Sequence, residues 1–199
     1  MTPRVAILIS GHGTNMLALI ERFRSGELPG EVAFVASDNP DAPGLEKASA
    51  LGVRTKTYPY REKGRFACEE AMREDMNASG VEWIILAGFM KVLSPAFVSA
   101  YPGKIVNIHP SLLPAFPGVD AIGQAWRHGV KITGVTVHLV DEKVDHGPIL
   151  AQEALPIRTG ESIESLESRV HEIEHGLYWV TLRDIFKGII RIPERRSNK

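Results

Sequence analysis

An asparagine and a histidine stand two residues apart, at Asn107 and His109, directly before Pro110. They end an apolar run over residues 104–109 that is typical of a strand. In an extended segment residues i and i+2 face the same side, so the amide and the imidazole project together. An oxyanion donor beside a proton carrier suits acyl transfer, although a turn-capping asparagine and a carbonyl-bonded histidine fit the same pattern.

A carboxylate that could act with this histidine lies in the segment 140–148, between two predicted strands. Asp145 in that position would favour the protonated form of the ring and fix its orientation. Asp141 and Glu142 occupy the same segment, and spacing does not choose among the three. The residues alone therefore predict a pair between His109 and one of these acids.

A glycine loop over residues 10–15 (SGHGTN) separates a predicted strand from a predicted helix. Free N–H groups and the helix dipole make such a position suitable for an anion. Met16 replaces the third glycine of a dinucleotide fingerprint, and the lysine of a P-loop is missing. The loop therefore favours a monophosphate over NAD or ATP, while a plain tight turn explains the two glycines equally well.

The remaining polar residues are weaker candidates. Cys68 is the only cysteine, which excludes an internal disulfide and every multi-cysteine metal site. No His/Asp/Glu cluster has metal-ligand spacing, so we predict no metal. His138 falls on a strand that we expect to be half-exposed. Four further histidines fall in the glycine loop or on predicted helices: His12, His128, His171 and His175.

Strands and helices alternate through the first half of the chain, which predicts an α/β fold with a doubly wound, mostly parallel sheet and a Rossmann-like N-terminal half. Apolar runs that end in glycine or polar turns mark the strands, and apolar residues at helical spacing mark the helices. The predicted strands are residues 5–9, 32–36, 53–57 and 83–87, and the predicted helices are 16–23, 42–51 and 65–76.

The second half has a different pattern. Strands are predicted at 104–109, 132–140 and 149–154, and we expect the last two to pair antiparallel at the sheet edge. Residues 162–187 carry apolar side chains at helical spacing, which predicts one long amphipathic C-terminal helix. Since no linker or repeat divides the sequence, we predict a single domain over 1–199 that ends in a polar tail over 191–199.

Composition limits the classes of partner. The chain has 199 residues, with 23 Lys+Arg against 24 Asp+Glu and a net charge of -1. This balance argues against binding nucleic acid or anionic membrane through bulk charge. The N-terminal apolar run is too short for a signal sequence or a membrane span. We therefore expect a cytoplasmic protein with small-molecule partners, no nucleic acid and no membrane.

Four motifs together resemble the phosphoribosylglycinamide formyltransferase family of folate-dependent enzymes. The resemblance covers nearly the whole chain, and the Asn-x-His-Pro-Ser-Leu-Leu-Pro segment is specific to the folate formyltransferase fold. The glycine loop with its Thr-Asn ending is what indicates the glycinamide ribonucleotide enzymes. The motifs are residues 7–15 (ILISGHGTN), 86–94 (LAGFMKVLS), 107–114 (NIHPSLLP), and 134–138 with 145–148 (GVTVH and DHGP).

The resemblance implies a formyl transfer from 10-formyltetrahydrofolate, as cosubstrate, to the amine of 5-phosphoribosylglycinamide in de novo purine synthesis. It implies a phosphate-binding half over about 1–100 and a catalytic and folate-binding half over about 101–190. The implied catalytic residues are Asn107, His109 and Asp145. The implied phosphoribosylglycinamide site is Gly13, Thr14, Asn15, Arg65 and Glu174. The implied folate site is Met90, Lys91, Val92, Leu93, Val140, Asp141 and Val144.

Two departures from the family pattern bear on these assignments. Lys91 stands where many members have arginine, so the planar fork of the guanidinium is lost. Residues 120–122 stand where others have a histidine-containing stretch, which puts a substrate role for that loop in doubt.

Three alternatives remain open at the level of sequence. A formyltetrahydrofolate hydrolase would be expected to carry an extra N-terminal domain, and a methionyl-tRNA formyltransferase an extra C-terminal one. A nucleotide-binding module without catalysis would leave Asn107, His109 and Asp145 as coincidences. The sequence also leaves open whether His109 or Asp145, through water, moves the proton, and whether the protein is a monomer or a homodimer.

Overall fold

The computed structural model describes residues 2–192, so residues 193–199 of the predicted tail lie outside the described part of the chain. The strands are β1 Arg4–Ile9, β2 Glu31–Ser37, β3 Thr55–Thr57, β4 Trp83–Leu86, β5 Ile105–His109, β6 Ile132–Leu139 and β7 Ile149–Pro156. The helices are α1 Thr14–Ser25, α2 Pro43–Ala50, α3 Tyr60–Lys63, α4 Arg65–Ala78, α5 Pro95–Ala100, α6 Ala121–His128 and α7 Ile163–Phe186.

The strands form one sheet in the order β3-β2-β1-β4-β5-β6-β7. Strands β1 to β5 are parallel, while β6 runs antiparallel to β5 and β7 runs antiparallel to β6. The predicted α/β class, the Rossmann-like first half and the antiparallel pairing at the C-terminal edge are therefore confirmed. Helices α3 and α5, which have four and six residues, were not predicted.

Alternating apolar residues explain why helices cover both faces of the sheet. In β1, Val5, Ile7 and Ile9 belong to a core with α1, α2 and α7, while Ala6 and Leu8 belong to a second core with α4 and α5. A strand with two buried faces is continuously apolar, as the sequence of β1 is. The two cores hold the carboxyl ends of the parallel strands in fixed positions.

The long helix α7 fixes the second half against the first. Its N-cap Ser162 accepts from the Ser165 N–H, and the helix runs for 24 residues, close to the predicted 162–187. The buried Tyr178 hydroxyl lies 2.9 Å from the Leu86 carbonyl and 3.0 Å from the Val106 carbonyl, at β4 and β5. Among the helices of residues 2–192, none combines the length and apolar character that crossing a membrane requires.

One expectation about the second half is wrong. Strand β6, which includes His138, is buried except at its first residue, and β7 is the exposed edge strand. The polar residues of β6 suggested a solvent face, but Thr133, Thr136 and His138 are all buried, and the last two are hydrogen-bonded inside the protein. The Thr136 hydroxyl donates to the Ser111 carbonyl at 2.7 Å and accepts from the Leu113 N–H at 3.0 Å. Such pairing allows polar side chains to be buried.

Candidate active site

A cavity of about 780 Å³ opens at the carboxyl ends of β1, β4 and β5. Strand order reverses here, because β2 lies on one side of β1 and β4 on the other. Open α/β sheets bind ligands at such a switch point. The walls come from segments that the sequence analysis singled out: 10–15, 86–93, 107–110, 118–122, 138 with 140–145, and three residues of α7.

His109 and Asp145 lie side by side in the cavity wall. The Nδ1 atom of His109 is 3.4 Å from the Asp145 Oδ2 atom, and its Nε2 atom is 2.9 Å from the Phe116 carbonyl oxygen. Each ring nitrogen therefore faces an acceptor, and only the doubly protonated ring can donate to both. Asp141, one of the rival acids, instead accepts from His146 Nδ1 at 2.8 Å.

Asp145 is held as a carboxylate. Burial opposes its ionisation, but the His138 ring, the donated N–H of Gly118 at 2.7 Å and the His109 ring together lower the pKa of Asp145 below its ordinary value. This carboxylate is therefore charged at neutral pH and provides a counter-charge for His109.

Asn107 is joined to a second histidine that the sequence analysis ranked as weak. In the β5–β6 ladder Asn107 pairs directly with His138, and Asn107 Nδ2 lies 3.1 Å from His138 Nε2. His138 Nδ1 is 2.8 Å from the Leu139 carbonyl oxygen, which can only accept, so the proton of that contact lies on Nδ1. An amide has two N–H groups, which leaves Asn107 one to offer a ligand. Nε2 also lies 3.6 Å from Asp145 Oδ1.

Left-handed backbone is concentrated around this group. Among the described residues, three non-glycine residues have clearly positive φ: Phe116 at 51°, Asp120 at 56° and Asp145 at 49°. Phe116 and Asp145 contact His109 directly, and Asp120 lies in the next cavity wall segment. Such conformations cost on the order of 1–3 kcal/mol each and cluster at functional sites.

The glycine loop has the backbone that its sequence requires. Gly13 caps α1 with φ 68°, a left-handed conformation in which a side chain is strained, and a Cβ there would lie 2.7 Å from Met16 Cε. Thr14 and Asn15 form the first turn of α1, where N–H groups lack helical partners. Gly13, Thr14 and Asn15 all line the cavity, at a position suited to an anion.

A buried carboxylate from α7 lies next to this loop. Glu174 Oε2 accepts from Asn15 Nδ2 at 3.1 Å and from His171 Nδ1 at 2.7 Å. The hydrogen bond to Glu174 raises the pKa of His171. The Asn15 Oδ1 atom is buried and finds no hydrogen-bond partner within residues 2–192, which makes it available to a ligand donor. Glu174 therefore lies against the glycine loop, and its role in binding the substrate stays a prediction.

Arg65, the remaining residue of the expected phosphoribosylglycinamide site, is not brought into the cavity. It is the exposed first residue of α4 and does not line the wall. The cavity residue Phe89 makes an edge contact with the Tyr60 ring, 6.1 Å between centroids, at the start of α3. A role for Arg65 in phosphate binding stays a prediction.

The expected folate residues form one apolar side of the cavity. Met90, Val92 and Val144 have exposed fractions of 65%, 54% and 52% although they line the wall. Apolar side chains that are this exposed in a concave site gain free energy when a ligand covers them. The other four expected residues also line the cavity: Lys91, Leu93, Val140 and Asp141.

Asp38 holds the segment that carries Lys91, and the sequence analysis missed it. The Asp38 carboxylate accepts from the Ser10 hydroxyl and lies 3.4 Å from Lys91 Nζ, while Ser10 Oγ accepts from the Met90 N–H at 2.7 Å. The only sequence signal was its place directly after β2. Lys91 is therefore engaged by a carboxylate rather than left free in the cavity.

The donor set of the site does not indicate a metal. Within residues 2–192 no group of three or more His, Cys, Asp or Glu side chains could hold a metal ion. The cavity instead combines a glycine loop, two asparagine amides, four histidines, the Asp145 and Glu174 carboxylates and an exposed apolar side.

Comparison with known proteins gives a consistent family. The profile of the family described as Formyl transferase matches residues 3–182. A phosphoribosylglycinamide formyltransferase of Bacillus subtilis is 42% identical over 88% of this chain and 90% of its own length. The crystal structure of glycinamide ribonucleotide transformylase 1 from Symbiobacterium toebii superposes with a TM-score of 0.92 and 43% identity, covering 98% of this chain and 92% of that one.

One relative is much longer than this chain. The trifunctional purine biosynthetic protein adenosine-3 of Gallus gallus is 41% identical over 96% of this chain, but the match covers only 19% of that protein. The similarity therefore concerns one segment of it.

Proposed function

The chain belongs to the formyl transferase family, and on that premise we propose that Asn107, His109 and Asp145 transfer a formyl group to the amine of 5-phosphoribosylglycinamide. The relatives that match over about nine-tenths of their own length are phosphoribosylglycinamide formyltransferases, so the activity belongs to purine biosynthesis. The formyl donor of the family is a formyltetrahydrofolate, which we take as 10-formyltetrahydrofolate. The observation that carries the catalytic assignment is the 3.4 Å pair between His109 and Asp145 in the cavity wall.

The proposed chemistry is an addition followed by an elimination. The neutral substrate amine attacks the formyl carbon, and the carbonyl oxygen becomes an oxyanion. The free N–H of Asn107 and the positive charge of His109 stabilise that oxyanion. Collapse of the adduct breaks the bond from carbon to the folate nitrogen, so no covalent bond to the protein is needed.

One proton must move from the attacking nitrogen to the leaving nitrogen. Both ring nitrogens of His109 face acceptors, the Phe116 carbonyl and the Asp145 carboxylate. This geometry favours a water molecule held by Asp145 as the carrier, with His109 supplying charge. His109 would become the carrier only if its Nε2–H left the Phe116 carbonyl.

The two substrates are assigned to different parts of the cavity. The phosphate lies at Gly13, Thr14 and Asn15, and Glu174 with Asn15 Oδ1 contacts the sugar or glycinamide part. We propose that the Arg65 side chain, which does not line the cavity wall, reaches over from α4 to contact the phosphate when the substrate binds. The pterin lies against the exposed apolar side chains of Met90, Val92 and Val144, and the same wall is completed by Lys91, Leu93, Val140 and Asp141.

The domain organisation, localisation, partners and oligomeric state remain predictions from the sequence. We propose one formyltransferase domain, with residues 1–100 holding the phosphate and residues 101–190 providing the catalytic groups and the folate side. We also propose a cytoplasmic protein that acts without a metal, without nucleic acid and without a membrane, as a monomer or a homodimer.

Absorbance of the folate product tests this function directly. We expect product from 10-formyltetrahydrofolate only when phosphoribosylglycinamide is present, together with one formylated amine per product. Equal folate release without the amine substrate would indicate a hydrolase and contradict the proposal. A glycinamide riboside without phosphate serves as the matched control, because it should require a far higher concentration if the glycine loop binds the phosphate.

A further inference from the structure

The segment Phe116 to Asp120 touches both members of the proposed catalytic pair through its backbone. The Phe116 carbonyl accepts from His109 Nε2 at 2.9 Å, and the Gly118 N–H donates to Asp145 Oδ2 at 2.7 Å. A shift of this segment would therefore move an acceptor away from one catalytic group and a donor away from the other.

Helix α6 holds this segment through side chains. The Gln124 side-chain amide donates to the Val119 carbonyl at 2.7 Å, and Arg127 Nη2 donates to the Asp120 carboxylate at 2.7 Å. The Phe116 ring also makes an edge contact with the His128 ring, at 5.8 Å between centroids. Three side chains of α6 thus contact both ends of the segment.

Gly123 leaves the space that this arrangement needs. A Cβ built at Gly123 would overlap the Asp120 carboxylate and would lie 2.8 Å from Arg127 Nη1. The carboxylate therefore lies flat on the helix at a position without a side chain. Asp120 itself is left-handed at φ 56°, which aspartate and asparagine tolerate better than most residues.

The ion pair is too exposed to serve folding. Both side chains of the Asp120–Arg127 pair are more than half exposed, and exposed pairs add little to stability. Misplacement of a catalytic group by about 1 Å can cost on the order of a hundredfold in rate. The pair therefore has more effect on geometry than on the free energy of folding.

We propose that Asp120 is a positioning residue that, with Arg127 and Gly123, clasps the 116–120 segment onto α6 and so holds His109 and Asp145 in register. This inference rests on the proposed function, since it assigns the clasp to that same site.

Three variants separate the clasp from its alternatives. Asp120→Ala removes the carboxylate, and Gly123→Ala displaces it while leaving both charged residues in place. Alanine is more favourable than glycine in a helix interior, so the Gly123→Ala variant should still fold. Asp120→Asn keeps an acceptor for Arg127 and tolerates the left-handed backbone. Glu70→Ala is the control, because it breaks the similarly exposed Glu70–Arg73 pair on α4.

We expect kcat to fall about tenfold in Asp120→Ala and Gly123→Ala, with both KM values near wild type, and to recover in Asp120→Asn. Hydrogen exchange of the Gly118 amide should accelerate in the same two variants and not in Glu70→Ala. Unchanged kcat and exchange in both variants would overturn the clasp. A rise in KM for phosphoribosylglycinamide alone would mean that Asp120 contacts substrate, and would also overturn it.

The two proposals can fail separately. If the wild-type protein transfers no formyl group, the proposed function fails, and the Gly118 exchange of the same variants still decides whether the clasp exists. If transfer occurs but the variants behave like Glu70→Ala, only the clasp fails.

Discussion

Two sides of the cavity are built in opposite ways. The catalytic side is formed by Asn107, His109, His138 and Asp145. Hydrogen bonds from side chains and backbone connect these residues, and Asp145 and the neighbouring Phe116 have left-handed backbone. The side proposed to bind the formyl donor, called the donor side, is formed by the apolar wall residues that include Met90 and is largely exposed. The first side is hydrogen-bonded without a ligand, and we expect the second to gain packing contacts when a ligand covers it.

This difference predicts a division of labour. Fixed dipoles and charges need no reorganisation in the transition state, so the catalytic side should determine kcat. Apolar surface that becomes buried on binding contributes affinity, so the donor side should determine KM for the folate. Substitutions on the two sides should therefore separate the two kinetic constants.

Asp145→Asn should have the largest effect. The amide keeps the size of the side chain and tolerates the left-handed backbone, but it removes the counter-charge of His109 and the proposed water-holder. We expect kcat to fall by about 10²- to 10⁴-fold with little change in KM. The free energy of unfolding and kcat are measured together, with the surface variant Glu27→Gln as control. A kcat close to wild type would contradict a catalytic role for Asp145.

Asn107→Ala and His109→Ala should follow. Each removes one stabilising group for the oxyanion, and the loss of one such donor costs about 10²- to 10³-fold in kcat. Steady-state kinetics with both substrates varied measures the split between kcat and KM. If both variants stay within a few-fold of wild-type kcat, the catalytic side is wrongly assigned.

Met90→Ala should affect the donor side only. The shorter side chain buries less apolar surface under the folate, which corresponds to about 1 kcal/mol or a fivefold rise in KM for 10-formyltetrahydrofolate. Since Met90 is exposed, the melting temperature should stay the same. A fall in kcat at saturating folate, with KM unchanged, would contradict the proposed division between the two sides.

His171→Gln should have the smallest effect, and it depends on pH. Glu174 raises the pKa of His171. The pair therefore stabilises the fold when the pH is below the ordinary pKa of histidine, and this contribution is lost as the pH rises through the raised pKa of His171. For a half-exposed pair we expect about 0.2–1 kcal/mol at pH near 6. Burial lowers the pKa of neighbouring His175 in both proteins, while the further lowering by the His171 charge is absent from the variant. Denaturant unfolding over a pH series measures the difference in free energy of unfolding between wild type and His171→Gln. A difference that grows as the pH rises would contradict the predicted pH dependence.

Local sequence patterns were sufficient for much of the fold. The continuous apolar runs of β1 and β4 and the helical spacing of α7 are local signals, and each predicted element formed close to its predicted bounds. The i and i+2 relation of Asn107 and His109 is equally local. From these local signals, the position of the cavity followed by one rule: ligands bind at the carboxyl ends of the parallel strands.

The missed features depend on contacts between distant segments. His138 entered the site through the register that pairs it with Asn107, and Asp145 was separated from Asp141 only by the course of the loop. Asp38 and the Phe116 carbonyl reach the site through non-local contacts that composition and periodicity do not encode. Strand β6 was expected to be half-exposed because the buried hydrogen bonds of Thr136 cannot be predicted from alternation.

The most direct test of the account is a crystal structure with phosphoribosylglycinamide and a non-reactive folate analogue bound together. We expect the phosphate at Gly13 to Asn15 and the substrate amine beside Asn107 and His109. The Met90 side should close over the pterin, while the contact between His109 and Asp145 stays as it is without ligands. A phosphate bound elsewhere, or a catalytic pair that forms only when the ligands are present, would contradict the account.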